Sequence, residues 1–132
     1  MTTISIERIN PPTLPTPPGY SQLVIASGGS TLYIAGQVAL DRDGKLVGPG
    51  DFAAQTTQVF RNLVAALEAG GATARDLVKL NTFVTDLSAL PDFRRVRDQF
   101  LDPAHPPTST LVQVTRLFRP EFLIEIEAIA VR

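Results

Sequence analysis

Two segments near the end of the chain constrain its fold more than any others. They are Pro106-Pro107-Thr108-Ser109-Thr110-Leu111-Val112-Gln113-Val114 and, after a short turn, Leu123-Ile124-Glu125-Ile126-Glu127-Ala128-Ile129-Ala130-Val131. Both are rich in β-branched residues and bounded by Pro-containing turns, which predicts strands. In the second, alternation puts Ile124, Ile126, Ala128 and Ala130 on one face and Leu123, Glu125, Glu127, Ile129 and Val131 on the other. Neither face is plainly solvated. A strand apolar on both sides needs cover on both sides, one inside the subunit and one outside it. Glu125 and Glu127 stand among apolar residues and are costly to desolvate without partners, so they are candidates for a functional cleft.

The 132 residues suit one domain with a core of its own, 1–132, and a second domain is not expected. A formal net charge of −1, with basic residues scattered apart from Arg94, Arg95 and Arg97, gives no stripe for nucleic acid. The chain has no cysteine, which excludes disulfides, thiolate metal sites and thiol nucleophiles. Its one histidine, His105, sits in a Pro-rich turn and cannot make a His-rich zinc site; a loop histidine is the expectation. Met1 to Ile6 lacks a basic segment followed by an apolar run, and no apolar stretch approaches membrane-spanning length. A soluble cytoplasmic protein without membrane partners is therefore expected. Pro11 to Gly19 could be the ligand of a proline-reading domain, but an extended connector is the simpler expectation.

Ile4 to Ile9 alternates weakly, as an edge strand would. Gln22–Ser27 and Thr31–Gly36 are apolar runs separated by Gly28-Gly29-Ser30, a spacing that predicts a hairpin. A further short strand leads to a polar turn at Asp41-Arg42-Asp43-Gly44. From Asp51 to Gly70 the residues Phe52, Val59, Phe60, Leu63, Val64 and Leu67 fall at helical spacing, with Asp51 as N-cap and Gly70-Gly71 as the stop. Leu77–Thr85 reads as a central strand. Ser88 is the expected cap of a second helix with Leu90, Phe93, Val96, Phe100 and Leu101 on its inner face, Pro91 in the first turn and Pro103 past the end. The order is strand, hairpin, helix, strand, helix, two strands. This predicts an α+β fold in which helices cover one sheet face and another subunit covers the other.

The combination of motifs resembles the RidA/YjgF family of enamine and imine deaminases. The matching residues are Gly19-Tyr20, Ile34-Ala35-Gly36-Gln37, Ala53-Ala54-Gln55-Thr56, Val84-Thr85-Asp86-Leu87 and the segment Ile124 to Val131, in the right order over nearly the whole chain. The resemblance implies a chorismate-mutase-like fold: a mixed sheet with two helices on one face, assembled as a homotrimer whose sheets line a central barrel and whose clefts lie between subunits. It implies hydrolysis of small imines or enamines to a ketoacid and ammonium, with no metal or organic cofactor. It also implies that Glu125 works with a bound water, that Tyr20 lines the substrate pocket from a neighbouring subunit, and that Gly36, through its N–H, and Thr110 surround substrate and water. A carboxylate partly desolvated among apolar neighbours has the raised pKa that such proton exchange needs.

The sequence departs from the deaminases at one important place. They carry an arginine that grips the substrate carboxylate with two parallel hydrogen bonds, two residues before the water-binding position. Here Thr108 stands there, and threonine has no charge to offer. The family serine before the glycine is replaced by Ala35, and Arg94 stands where asparagine is common. Arg94 either swings into the cleft as a replacement cation or stays solvated on its helix. Glu127 is expected to pair with a Lys or Arg near the subunit boundary. Three readings stand: a hydrolase weak on 2-aminoacrylate-type imines, a trimer that binds a small metabolite without turnover, and a ribonuclease or translation inhibitor, which some relatives have been held to be. The near-neutral charge speaks against the last.

Overall fold

The computed structural model describes residues 3–132; Met1 and Thr2, part of the segment read above for an export signal, lie outside the described residues. The elements are β1 (Ser5–Ile9), β2 (Leu23–Ser27), β3 (Thr31–Gln37), α1 (Phe52–Ala69), β4 (Leu77–Val84), α2 (Leu90–Phe100), β5 (Thr108–Gln113) and β6 (Ile124–Val131). The main sheet has the order β3-β6-β4-β5 and is mixed: β4 and β5 run parallel, the other pairs antiparallel. Helix α2 is the crossover that a parallel pair requires.

The expected hairpin does not form. Strand β2 turns back on β1 in a separate two-stranded sheet, and β3 pairs with β6. Gly28 and Gly29 do make a turn, both at positive φ (71° and 69°), but its use is different. A Cβ on Gly29 would lie 2.6 Å from the Arg132 carbonyl oxygen. Ser30 and Arg132 exchange backbone hydrogen bonds of 2.7 and 3.0 Å just beyond that point. The glycines thus let the chain pass tightly over the end of β6 as it leaves one sheet for the other. The short strand expected before Asp41 is reduced to a single bridge between Leu40 and Leu46.

Helix α1 follows its sequence signals. Asp51 accepts a 3.0 Å hydrogen bond from the Ala54 N–H, and Gly71 leaves the helix at φ 73°. The cap expected of Ser88 is supplied differently: the Asp86 carboxylate accepts from the Ser88 N–H at 2.9 Å and starts a single 3-10 turn, Leu87–Ala89, that runs into α2. Pro91 lies in the first turn of α2, where its missing N–H has no partner to lose.

Val59, Phe60, Leu63 and Leu67 of α1 and Phe93 and Val96 of α2 form one core with Ile124, Ile126, Ala128 and Ala130 of β6. Phe60 stacks on Phe100 at a centroid distance of 5.4 Å and meets Phe93 at 6.2 Å. Each fully buried large side chain contributes about 1.5–3 kcal/mol. Both helices therefore bind one face of the sheet, and the alternation read in β6 sends Glu125 and Glu127 to the opposite face.

Candidate active site: the open sheet face and the Tyr20 pocket

The register aligns residues of the open face in rows across the strands. Tyr33, Ile129, Lys79 and Thr108 stand side by side, as do Glu127, Asn81 and Thr110 in the next row, and Glu125, Phe83 and Val112 in the one after. Tyr33 is 80% exposed and Val112 41%, so this face has no cover among the described residues.

A β-bulge shapes the β3 side of the face. Ile34 is opposite Ala128 and Gln37 opposite Ile126, so β3 has one more residue than β6 across this interval, at Ala35-Gly36. Such an insertion bends a strand and frees backbone groups from the ladder. A Cβ on Gly36 would fall on the Glu125 carboxylate, so the absence of a side chain there makes the room that Glu125 occupies. Glu125 is half-buried and has no hydrogen-bond partner among the described residues. Burial raises its pKa above the usual carboxylate value, and the charge of Glu127 on the same face raises it further. Glu127 itself accepts a 3.0 Å hydrogen bond from the Asn81 side-chain amide. Its partner within the chain is thus an amide.

Gln55 is a residue that the sequence reading quoted in a motif but gave no role. It is fully buried in the first turn of α1. Its amide nitrogen donates to the carbonyls of Gly48 (3.1 Å) and Glu121 (3.0 Å), and its oxygen accepts from the Leu123 N–H at 2.9 Å. One side chain so fixes the entry into β6 two residues before Glu125. The available signal was a polar residue at an apolar position of the helical period, since Gln55 lies between Phe52 and Val59 on the inner face.

Thr108 donates its hydroxyl to the Val78 carbonyl at 2.8 Å, so its one donor is already used inside the sheet. Thr110 is exposed and has no such bond among the described residues. Thr110 shares a row with Asn81 and Glu127, one row from Glu125.

Tyr20 and Arg94 lie elsewhere. Backbone and hydroxyl hydrogen bonds from Ser21 to the Pro107 and Pro106 carbonyls fasten Tyr20 beside the start of β5. There Tyr20, Leu90, Phe93, Arg94, Arg97 and Ser109 enclose a pocket of about 270 Å3. Leu111, also in its wall, packs on the core, so the pocket opens on the helix side of β5. Within one chain, Glu125, Gly36 and Thr110 are thus on or beside one face of the sheet, and Tyr20 and Arg94 are on the other. Arg94 is exposed, and Arg95 pairs with Asp92 at 2.7 Å, as expected of a solvated helix face. Arg97 departs from that expectation: its side chain is only 12% exposed. His105 is off both sites, its ring nitrogens 3.0 Å from Asp102 Oδ2 and 3.0 Å from Arg75 Nη2. Among the described residues no group of three or more His, Asp or Glu is placed to hold a metal ion, and no helix is long and apolar enough to cross a membrane.

Comparison with known proteins gives a consistent result. The profile of the family described as endoribonuclease L-PSP matches residues 13–132. A RutC family protein of Pyrococcus horikoshii is 38% identical over 118 residues, 88% of this chain and 90% of that protein. A 2-iminobutanoate/2-iminopropanoate deaminase of Dermatophagoides farinae is 35% identical over 125 residues, 93% of this chain and 94% of its own length. The crystal structure of a Rid-family protein of unknown function from Yersinia pestis superposes with a TM-score of 0.85 at 38% identity, covering 96% of this chain and 98% of that one. With two helices packed on a mixed sheet and a family match over most of its length, the chain belongs to the endoribonuclease L-PSP family, the RidA/YjgF family that its motifs resemble.

Proposed function

We propose that this chain, as one cytoplasmic domain, is an imine or enamine hydrolase working at a cleft between the subunits of a homotrimer. The observation that carries the reading is Glu125: a half-buried carboxylate with a raised pKa, no internal hydrogen-bond partner among the described residues, and space kept for it by Gly36. Such a group takes one proton from water as the oxygen adds to the carbon of the protonated imine and returns it to the nitrogen; the hydroxyl of the resulting carbinolamine gives its remaining proton to solvent as the carbonyl of the ketoacid forms and ammonia leaves. Thr110 and the N–H of Gly36 orient the water and substrate. The name of the Dermatophagoides relative supports this chemistry.

The trimer is supported by the division of the candidate residues between two sides of the sheet. Only a second copy can bring a Tyr20 pocket to a Glu125, and the exposed Tyr33 and Val112 then find cover in a central barrel of three open faces. With its donor held by Val78, Thr108 cannot grip an α-carboxylate, so 2-aminoacrylate and 2-iminobutanoate are turned over feebly or not at all. The same bond favours a second reading, a trimer that binds a small metabolite without turnover. The family's description as an endoribonuclease offers a third, which the net charge of −1 does not help. Imines generated in situ by an amino-acid oxidase, followed by ketoacid release, test the proposal. Turnover of a panel of imines, abolished by Glu125→Gln with the assembly intact, is expected; a rate in Glu125→Gln equal to wild type removes Glu125 from the mechanism. A monomer in sedimentation at micromolar concentration would remove the intersubunit cleft.

A further inference from the structure

Arg97 is the cation in this chain whose surroundings least explain it. Its side chain is only 12% exposed, yet its single hydrogen bond among the described residues runs from Nε to Asp98 Oδ1, at 3.0 Å. That partner is itself 67% exposed on the helix surface. Both terminal nitrogens, with the four N–H groups they carry, have no acceptor among the described residues. These donors are not sealed off, since the Thr82 hydroxyl is the one buried side-chain polar atom without a partner among the described residues; they face the pocket and are free to meet water or a ligand there. The guanidinium is also held in place. It lies 5.9 Å from the Phe93 ring centroid, and it rests against the backbone at Gly19, where a Cβ would meet Nη2 at 2.6 Å. Gly19 has φ 90°, so a side chain is excluded there by conformation as well. The fork of donors is thereby fixed in the wall of the Tyr20 pocket.

The rest of that pocket defines what the fork would meet. Leu90, Phe93 and the ring of Tyr20 give it apolar walls, Ser109 gives a hydroxyl, and the exposed guanidinium of Arg94 stands at its rim without an ion pair among the described residues. No acidic residue lines it. A volume of about 270 Å3 admits a small molecule and no larger chain. We propose that this pocket binds the carboxylate of a small organic acid through the terminal nitrogens of Arg97, with Arg94 adding charge at its mouth, as a site of its own on the opposite side of β5 from position 108. That a carboxylate held here bears on the reaction rests on the hydrolase reading above; that a carboxylate binds here does not. A planar fork with an apolar floor suits a two-oxygen planar anion carrying a short hydrocarbon body.

The test is a titration of the full-length, isotopically labelled protein with 2-oxobutanoate, with 2-oxobutanamide and with inorganic phosphate, followed by NMR. The carboxylate is expected to shift the signals of Tyr20, Leu90 and Ser109 and to bind on the order of tenfold more tightly than the amide, the ratio that a hydrogen bond to a charged group supplies. Arg97→Gln should weaken carboxylate binding on the order of tenfold to a hundredfold while leaving the amide unchanged. Arg97→Lys, which keeps the charge and the apolar stem, should fall between, and Arg94→Gln should cost less than Arg97→Gln. Equal affinity for acid and amide overturns the proposal, as does wild-type affinity in both Arg97 variants or tighter binding of phosphate than of the carboxylate. If Arg97→Gln does not fold, the comparison of acid with amide in the wild type decides alone. The hydrolase reading fails separately: carboxylate binding that depends on Arg97 in a protein that turns over no imine leaves the subsite standing and removes the reaction.

Discussion

Replacing Gly36 by alanine separates the site from the fold more cleanly than any other change. Gly36 is not at positive φ, so alanine costs no backbone strain there. The three atoms nearest to the new methyl all belong to the Glu125 side chain: Cδ would be 2.9 Å and Cγ 3.1 Å away, with Oε1 closer still. The carboxylate must swing aside, and because it is the far end of a flexible, half-buried side chain the swing is cheap. Stability should change by less than about 1 kcal/mol, the range of a modest rotamer adjustment. The reaction has no such tolerance, since a displacement of about 1 Å can cost on the order of a hundredfold in rate. Denaturant unfolding and imine turnover on the same sample check both halves. A Gly36→Ala variant that keeps wild-type kcat/KM would show that the position of Glu125 is immaterial and would sink its catalytic role. A large loss of stability would show that the bulge, not the carboxylate, needs the glycine.

Other outcomes follow from the same geometry. Because burial and then the charge of Glu127 raise the Glu125 pKa, the folded state keeps that proton to a higher pH than the unfolded chain; the stability it gives is present below the ordinary value of 4.5 and is lost as pH rises through the raised one. Glu125→Gln should therefore gain on wild type in unfolding midpoints measured from pH 4 upward, and parallel curves would contradict the shift. Gln55→Leu strips partners from the Leu123 N–H and from the Gly48 and Glu121 carbonyls, and should cost about 2–5 kcal/mol, a large part of a normal stability; a cost under about 0.5 kcal/mol in urea melts, the size of an ordinary surface change, would mean that water replaces all three. Thr108→Arg should raise turnover of 2-iminobutanoate by roughly two powers of ten if the carboxylate can be held at β5. An intact variant with no gain in a ketoacid assay would favour the binding-module reading.

What could be read in the sequence was what repeats at a local period. The apolar spacing of α1 and the alternation of β6 each identify one face, and one face is all that local pattern encodes. The pairing of β2 and β3 was misread because Gly28-Gly29-Ser30 carries the same letters whether the strands meet or part. The decision is made by Arg132, distant in sequence, which bonds to Ser30 and draws β3 to β6. Likewise Ser88 reads as a cap because serine caps helices, but the cap lies two residues earlier, where the Asp86 carboxylate accepts from the Ser88 N–H. At the site, Glu125 was legible as a carboxylate among apolar residues. The burial of Arg97 was not, because three arginines in four positions read as a solvated face until Gly19 and Phe93 close over one of them.

The central place of β6 also governs how the molecule comes into being. Strands β3 and β4 never touch as neighbours; each pairs with β6, far on in the chain, and the first residue of β3 pairs with the last residue of β6. A nascent chain that has reached only α2 holds both amphipathic helices with their apolar sides bare and two strands with no common partner. The loops that must close are long, which slows assembly and lengthens the time in which unpaired edges can stick to other chains. Fragments that stop short of Ile124 should aggregate, because they lack the one strand with which both β3 and β4 pair.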